Sequence, residues 1–233
     1  MSNRETEPAW CERLEADMER MAVELTKAVR EWTGREQIFT PENYGYTRGE
    51  KATAAIQRAI DAAGEQGGIV RLDRGDYISG TLVMRSGVCL EIRAGSRLLG
   101  STDLADYPEH HARRLTVQDT SMGMHQSLIY AEGCENICLR GGGVMDGRGT
   151  PDHFPGEETA QGTPGRPFLI RMIDCRGVQV ADLTMKNAAC WMQNYLNCTE
   201  LHLENLTVRN DAGDGRTVGQ AVAVYAAGDR GVW

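Results

Sequence analysis

The stretches CRGVQVADLTMKN (residues 175–187) and CTELHLENLTVRN (residues 198–210) decide the fold, because they repeat each other in register 23 residues apart. A third copy of their opening, CENICL, begins at Cys134, and all three share the form C-x-x-Φ-x-Φ, where Φ is aliphatic. Short strands at a period in the twenties, without helices between them, predict coils stacked along an axis. A right-handed parallel β-helix fits this pattern. A β-sandwich is the alternative from strand content, whereas the L-x-x-L-x-L pattern of leucine-rich repeats is absent.

The copy that begins at Cys134 precedes the copy at Cys175 by 41 residues, which exceeds the 23-residue period by 18. The Gly- and Pro-rich stretch GTPDHFPGEETAQGTPGRP (residues 149–167) accounts for the excess as a loop inserted into one coil. The repeat therefore predicts that Cys134, Cys175 and Cys198 stack at one turn of successive coils.

A metal site formed by Cys134, Cys138 and His125 is the alternative interpretation of these cysteines. The chain has no C-x-x-C pair, and the repeat already accounts for the cysteine positions. We therefore predict no metal ion and no cofactor.

Two helices are predicted before the strands. The first covers roughly residues 9–33, where apolar residues recur at spacings of three and four; it makes residues 1–35 an amphipathic helical extension that packs on the domain or self-associates. The second covers Thr53–Gly64 and has one apolar side. Short runs bounded by Gly, Ser or Asp then predict strands at IVRL, YISGTLVM, VCLEI and RLLG.

Composition narrows the class of protein. The chain has 233 residues and a net charge of −8, without a basic stripe, which argues against a nucleic-acid partner. No apolar run approaches the length of a bilayer span, and the N-terminus has no apolar signal region, so no membrane association is predicted. Seven cysteines, an odd number, favour free thiols in a reducing compartment, and we expect a cytoplasmic protein.

Several ordered segments resemble the polygalacturonase family, glycoside hydrolase family 28. They include NYGYTRGEKATAAIQRAIDAAGEQGG, SLIYAEGCENICLRGGGVMDGRG and RPFLIRMIDCRGVQVADLTMKNAACWMQNYLNC, and the resemblance spans about residues 39–210. It implies an all-β, right-handed parallel β-helix with a capping helix. It also implies a pectic oligo- or polysaccharide as substrate, with galacturonan bonds hydrolysed by inversion between carboxyl groups.

The family's catalytic motifs are mostly missing from this chain. It has no Asp-Asp pair, no G-H-G and no R-I-K, and Asp214 with Gly215 is the nearest match to the family's N-x-D-G element. Asp214 is therefore a candidate catalytic carboxylate, with an ordinary turn aspartate as the alternative. The resemblance predicts an incomplete β-helix over residues 36–210 and weak or absent hydrolysis.

The tail NDAGDGRTVGQAVAVYAAGDRGVW, within residues 209–233, resembles the pectin methylesterases, which are also β-helical. That resemblance implies that Gln220 stabilises an oxyanion, while the nucleophilic aspartate is not present. Residues 211–233 are accordingly predicted to begin a methylesterase-like coil. Alternative functions are thus a truncated methylesterase, or a non-catalytic β-helix that binds oligogalacturonide or serves as a structural module.

Three residues before this tail are candidate substrate ligands. Trp191, Gln193 and Asn194 lie in the strand next to the coil where the family carries its catalytic groups, and an exposed tryptophan stacks well on a sugar ring. Strand alternation puts Trp191 and Gln193 on one face and Asn194 on the other. A β-helix that ends in an open coil also exposes apolar edges, so we expect self-association through that end or through the N-terminal helix.

Overall fold

The computed structural model describes residue 17 and residues 32–113, 123–156, 164–210 and 222–225, the last range by its backbone only. Contacts divide the chain into two units, residues 1–31 and 32–233. In the first unit Asp17 is described, and it is helical; the rest of the predicted helix within residues 9–31 lies outside the described residues. Residues 32–37 form neither helix nor strand.

The second unit consists of short strands that are all paired in parallel among the described residues. In chain order these are β1 Ile38–Phe39, β2 Gly68–Leu72, β3 Gly75–Ser79, β4 Leu82–Val83, β5 Val88–Ile92, β6 Ser96–Gly100, β7 Ser127–Glu132, β8 Glu135–Arg140, β9 Val144–Asp146, β10 Phe168–Ile173, β11 Arg176–Ala181, β12 Thr184–Lys186, β13 Gln193–Leu196, β14 Thr199–Glu204, β15 Thr207–Arg209 and β16 Val222–Tyr225.

The strands form three sheets. The first sheet has the order β1-β2-β5-β8-β11-β14, the second sheet β3-β6-β9-β12-β15 and the third sheet β4-β7-β10-β13-β16. From β2 onward the chain visits the three sheets in turn, so three strands make one coil and each sheet is a stack of equivalent strands. This is a parallel β-helix, as the repeat predicted.

The register of the first sheet confirms the repeat. Val178 of β11 pairs with Leu201 of β14, 23 residues later, and with Ile137 of β8, 41 residues earlier. Ile137 and Val178 are fully or almost fully buried inside the coil. The 41-residue interval between Ile137 and Val178 is longer than the period because of extra residues between β9 and β10, where the sequence predicted an inserted loop.

The helix predicted at Thr53–Gly64 is present with those bounds, and we name it α1. Its apolar side is buried over the first coil, and Ile56, Ala59, Ile60 and Ala63 belong to the main core. A short 3-10 helix, Pro41–Tyr44, precedes it, and a second, Leu104–Asp106, follows β6.

The predicted strand YISGTLVM is in fact two strands in different sheets, β3 and β4, joined at Gly80. A Cβ atom on Gly80 would lie 2.1 Å from the carbonyl oxygen of Asp106, so no other residue fits at this corner. The apolar run hides the corner because both strands bury their side chains in the same core.

The recurring cysteines stack at the corner between the third and first sheets, as predicted. The Arg176 amide donates to the Cys134 carbonyl and the Thr199 amide to the Cys175 carbonyl, both at 2.9 Å. A hydrogen bond with Cys175, and then burial, raise the pKa of the Cys134 thiol, which favours a neutral thiol over a metal-binding thiolate. Within the described parts of the chain, no helix is long and apolar enough to cross a membrane.

Candidate functional site

The long connections of the β-helix lie at one corner. Residues 101–126 and 147–167 both join the second sheet to the third, whereas the turns at the other two corners of the coils from β2 to β15 have two to four residues. Long loops at one corner lie next to the same face of the solenoid. The outer face of the third sheet is therefore the place to look for a site.

Three polar side chains lie side by side on this outer face. Tyr130 of β7 pairs with Arg171 of β10, which pairs with Asn194 of β13, so we call Tyr130, Arg171 and Asn194 the outer ladder. The neighbouring register pair, Ile129 with Ile170, belongs to the main core on the opposite side of the strands. Period-two alternation thus places the outer ladder on the side of the strands opposite the main core.

The first long connection folds over the outer ladder at residues 108–113. The His110 ring stacks on Tyr130 with 4.4 Å between ring centroids, and Arg171 donates from Nη1 to the His110 carbonyl at 2.9 Å. Arg171 is completely buried, and its guanidinium also lies 5.8 Å from the centre of the Phe168 ring. The segment thereby holds a positive charge beneath the face.

Burial is the largest effect on the pKa of His110 and lowers it; the hydrogen bond to Pro108 opposes burial, and the nearby Arg171 charge lowers the pKa further. His110 is therefore neutral at pH 7. The permanent positive charge beneath this segment belongs to Arg171.

One carboxylate lies at the end of β7 beside this segment. Glu132 accepts a hydrogen bond from the Arg113 amide at 2.6 Å and another from the Tyr130 hydroxyl at 3.1 Å. These bonds use one oxygen each, so Glu132 anchors the segment at residue 113. Inverting hydrolysis needs a second carboxyl group about 6.5–9.5 Å away. The outer ladder, as described, supplies none.

Asn194 is the member of the outer ladder that lies nearest to β16. Its side chain is fully buried, and neither amide atom has a hydrogen-bond partner among the described residues. A buried amide without partners costs about 1–3 kcal/mol. Such a group is able to donate to one ligand atom and accept from another.

The other two predicted ligands lie elsewhere. Gln193 points into the coil, where it is buried and accepts a hydrogen bond from the Tyr195 hydroxyl at 2.7 Å, and this position does not support a contact with substrate. Trp191 lies before β13, half-buried, with its ring edge-on to Phe168 at 5.8 Å. Alternation correctly separates Gln193 from Asn194, but it does not extend to Trp191, which precedes the strand.

Asp214 and Gln220, the two predicted catalytic residues, lie outside the described residues. The tail that contains them nevertheless joins the same solenoid, because β16 pairs in parallel with β13 and places Ala223 beside Asn194. The sequence AVAVY thus includes the next strand of the third sheet.

Sequence reasoning missed Arg171 and His110. Arg171 interrupts the apolar run FLIRMI, and a charge inside a strand that is otherwise fully buried is a usable signal for a polar site. His110 gave no comparable signal, because its role depends on a loop that folds back onto β7.

Part of this chain is similar in sequence to a curated protein. A protein of grapevine, Vitis vinifera, described as a probable polygalacturonase, is 22% identical over 173 residues; these cover 70% of this chain and 34% of that protein. This chain thus spans about a third of the length of that relative.

Two solved structures share the fold. The exopolygalacturonase of Thermotoga maritima matches with a TM-score of 0.70 and 19% identity, over 82% of this chain and 51% of that one. The family 28 exopolygalacturonase of Yersinia enterocolitica matches with a TM-score of 0.62 and 24% identity, over 76% of this chain and 40% of that one. The chain is accordingly a right-handed parallel β-helix, as predicted.

The profile of glycosyl hydrolases family 28 matches residues 87–225, which is more than half of the chain. This match includes Asn194 and continues through Gln220 into β16, where the sequence also resembles methylesterases. The findings do not support that second resemblance. Because the profile covers more than half of the chain, the chain belongs to glycosyl hydrolases family 28.

Proposed function

We propose that this chain binds a pectic polysaccharide along the outer face of the third sheet, as part of a polygalacturonase-type glycoside hydrolase. The observation that carries the proposal is Asn194, a buried amide without a partner among the described residues, on the face beside which the long loops lie. Membership of family 28 supports a pectic polysaccharide as the class of substrate.

Charge and shape support a galacturonan ligand. The chain carries a net charge of −8, which repels a polyanion, so a binding face needs a local positive charge. Arg171 supplies that charge beneath the outer face, next to Asn194. Trp191, two residues before the same strand begins, offers a partly exposed aromatic ring suited to stacking on a sugar.

Turnover by this chain is proposed to be weak or absent. Inversion requires one carboxyl group as acid and another as base on opposite sides of the bond. Glu132, a described carboxylate beside this face, already accepts two hydrogen bonds, from Arg113 and Tyr130. Asp214 remains the proposed catalytic carboxylate, and Gln220 remains a proposed catalytic residue of the tail that stabilises an oxyanion.

The proposal is tested by measuring two quantities on the purified chain: release of reducing ends from polygalacturonate, and binding of oligogalacturonides by calorimetry. We expect saturable binding, little or no release, and no methanol release from methylated pectin. Asn194→Ala and Trp191→Ala should each weaken binding about tenfold, since each removes roughly 1–3 kcal/mol.

Asn205→Ala is the matched control for this test, because Asn205 lies at the corner between the first and second sheets, where its side chain donates to Asp182 at 3.1 Å. It should leave binding unchanged. Absence of any binding would refute the proposed site, and rapid release of reducing ends would refute the proposed weak turnover.

Self-association is proposed through the N-terminal helix or through the last coil. Leu203 of β14 is 36% exposed, whereas its register partner Val180 is fully buried. An uncovered coil end buries apolar surface by pairing with a second copy. Light scattering after size exclusion should show oligomers, and Leu203→Lys should shift them toward monomer; a monomeric parent chain would contradict this.

A reducing, cytoplasmic location is proposed from the cysteines. The six described cysteines form no disulfide, although Cys89 and Cys138 are neighbours in register. Thiol titration of the denatured protein, isolated under alkylating conditions, should find every cysteine reduced, and a disulfide would contradict the proposed location.

A further inference from the structure

We propose that Glu109, His111 and His125 bind a divalent transition-metal ion of the zinc type. One carboxylate oxygen and two imidazole nitrogens from these residues all lie within 4.8 Å of one another. The sequence predicted no metal ion, because the chain has no C-x-x-C pair and the repeat accounts for the cysteine positions; His125 was considered only together with the cysteines. In the structure His125 lies in the first long connection itself, and its ring centre is 4.1 Å from that of His111.

The fold brings these three side chains together through His110. That residue stacks on Tyr130, accepts a hydrogen bond from Arg171 through its carbonyl, and donates its amide to the His125 carbonyl at 3.0 Å. These contacts fix the backbone between Glu109 and His111 and hold it next to residue 125. The two flanking side chains then meet, with Glu109 Oε2 3.2 Å from His111 Nε2.

The donor set selects the ion. Two imidazoles and one carboxylate, with a fourth position for water, form a known zinc arrangement, whereas Mg²⁺ and Ca²⁺ prefer oxygen ligands throughout. Metal–ligand bonds of about 2.1 Å in a tetrahedron place ligand atoms about 3.4 Å apart. The cluster is therefore close to binding distance, and closing it requires ligand atoms to move by up to about 1.5 Å.

Exposure makes this closure feasible. The Glu109 and His111 side chains are 59% and 63% exposed, so an ion enters from solvent and both side chains are free to rotate onto it. His125 is buried, with 7% exposed, and provides the fixed donor. A bound ion would tie residues 109–111 to residue 125 and so hold the segment that covers Tyr130 and Arg171.

A second histidine–carboxylate pair provides the control. His202 Nε2 lies 2.8 Å from Glu204 Oε2, but the described residues offer no third ligand there. Both pairs are at the surface, so they differ chiefly in the presence of a buried third donor. Nonspecific binding to surface histidines would affect both pairs alike.

The experiment is a calorimetric titration of the whole chain with ZnCl₂ in a buffer that does not chelate metals, with a thermal melt at each end point. We expect one saturable Zn²⁺ site per chain, a higher melting temperature with Zn²⁺, and no response to Mg²⁺. His111→Gln and Glu109→Gln should each weaken binding about 10-fold or more and abolish the thermal shift. Both positions are exposed, so these variants are expected to fold.

His202→Gln should bind Zn²⁺ like the parent chain. The proposal is overturned if the parent shows no saturable Zn²⁺ binding, if both His111→Gln and Glu109→Gln bind as tightly as the parent, or if His202→Gln causes the same loss. A thermal shift that persists in His111→Gln would also overturn it.

Discussion

The two ends of the described β-helix differ in how they are covered. At the N-terminal end α1 buries Ile56 and Ile60 completely over the first coil. At the C-terminal end Leu203 of β14 is 36% exposed, and Val208 of β15 is only partly buried. The same inward positions one coil earlier, such as Val180, are fully buried.

The capped end also satisfies hydrogen bonds that an edge strand leaves open. The Gln57 side chain of α1 donates to the Val83 carbonyl at 2.9 Å and accepts from the Val83 amide at 2.8 Å. It thereby replaces the strand that would lie beside β4. A solenoid end thus needs both an apolar cover and polar groups for its last strand, and α1 provides both.

The largest expected difference between the two ends is in the cost of removing an apolar side chain. Ile60→Ala creates a cavity under α1 and should lower the free energy of unfolding by about 2–5 kcal/mol. Leu203→Ala removes a side chain that is already partly hydrated and should lower it by less than about 1 kcal/mol. Urea unfolding measures both, and equal losses would remove the distinction between the ends.

The polar part of the cap is tested by Gln57→Ala. The substitution leaves the Val83 amide and carbonyl without their partners and should lower the free energy of unfolding by about 1–2 kcal/mol. Gln66→Ala, in the turn after α1, is the control and should have little effect. A loss no greater than the control's would show that water replaces the Gln57 amide without penalty.

Near the C-terminal end we expect a stabilising substitution. Asn194→Leu replaces a buried amide without described partners by an apolar side chain of similar size, and should raise the free energy of unfolding by about 1 kcal/mol. The same change should weaken oligogalacturonide binding. Destabilisation would indicate that Asn194 is held by groups within the protein and has a structural role.

The smallest expected effect is a pH-dependent one at the capped end. Burial alone would raise the pKa of Asp106, but hydrogen bonds from Lys51 and Ser101 outweigh it and lower the pKa. A lowered folded-state pKa stabilises the fold above the ordinary value of about 3.9 and loses that contribution as pH falls.

Asp106→Asn should therefore lose less stability than the parent chain between about pH 5 and pH 3, by under about 1 kcal/mol. Urea midpoints of both proteins at each pH measure the difference. Parallel pH profiles would show that the Asp106 interactions contribute no net stability.

The sequence predicted the repeated part of the fold well, for a reason visible in the coils. Val178 and Leu201 occupy equivalent inward positions of successive coils. The 23-residue period of the sequence therefore equals the separation of residues that pair between neighbouring strands. The bounds of α1 followed from its apolar side in the same way. The corner at Gly80 was not predicted, because the apolar residues of YISGTLVM continue from one strand into the next without a break where the chain changes sheet.

The candidate site was only partly predictable. Strand alternation predicted that Gln193 and Asn194 lie on opposite faces, but it did not decide which of the two faces the interior; the structure places Gln193 there. Arg171 and His110 become neighbours through a long connection whose path no local pattern specifies. The tail's membership of the third sheet likewise rests on the pairing of β13 with β16.

The amino-acid sequence by itself determined the coil period, the capping helix and the family resemblance, since each depends on residues that are close in the chain or repeat at a fixed interval. Tertiary structure decided which side chains meet. Glu109, His111 and His125 converge only because His110 is held on Tyr130 by stacking and by its hydrogen bonds. Contacts of that kind join segments through space, and no periodicity in the sequence encodes them.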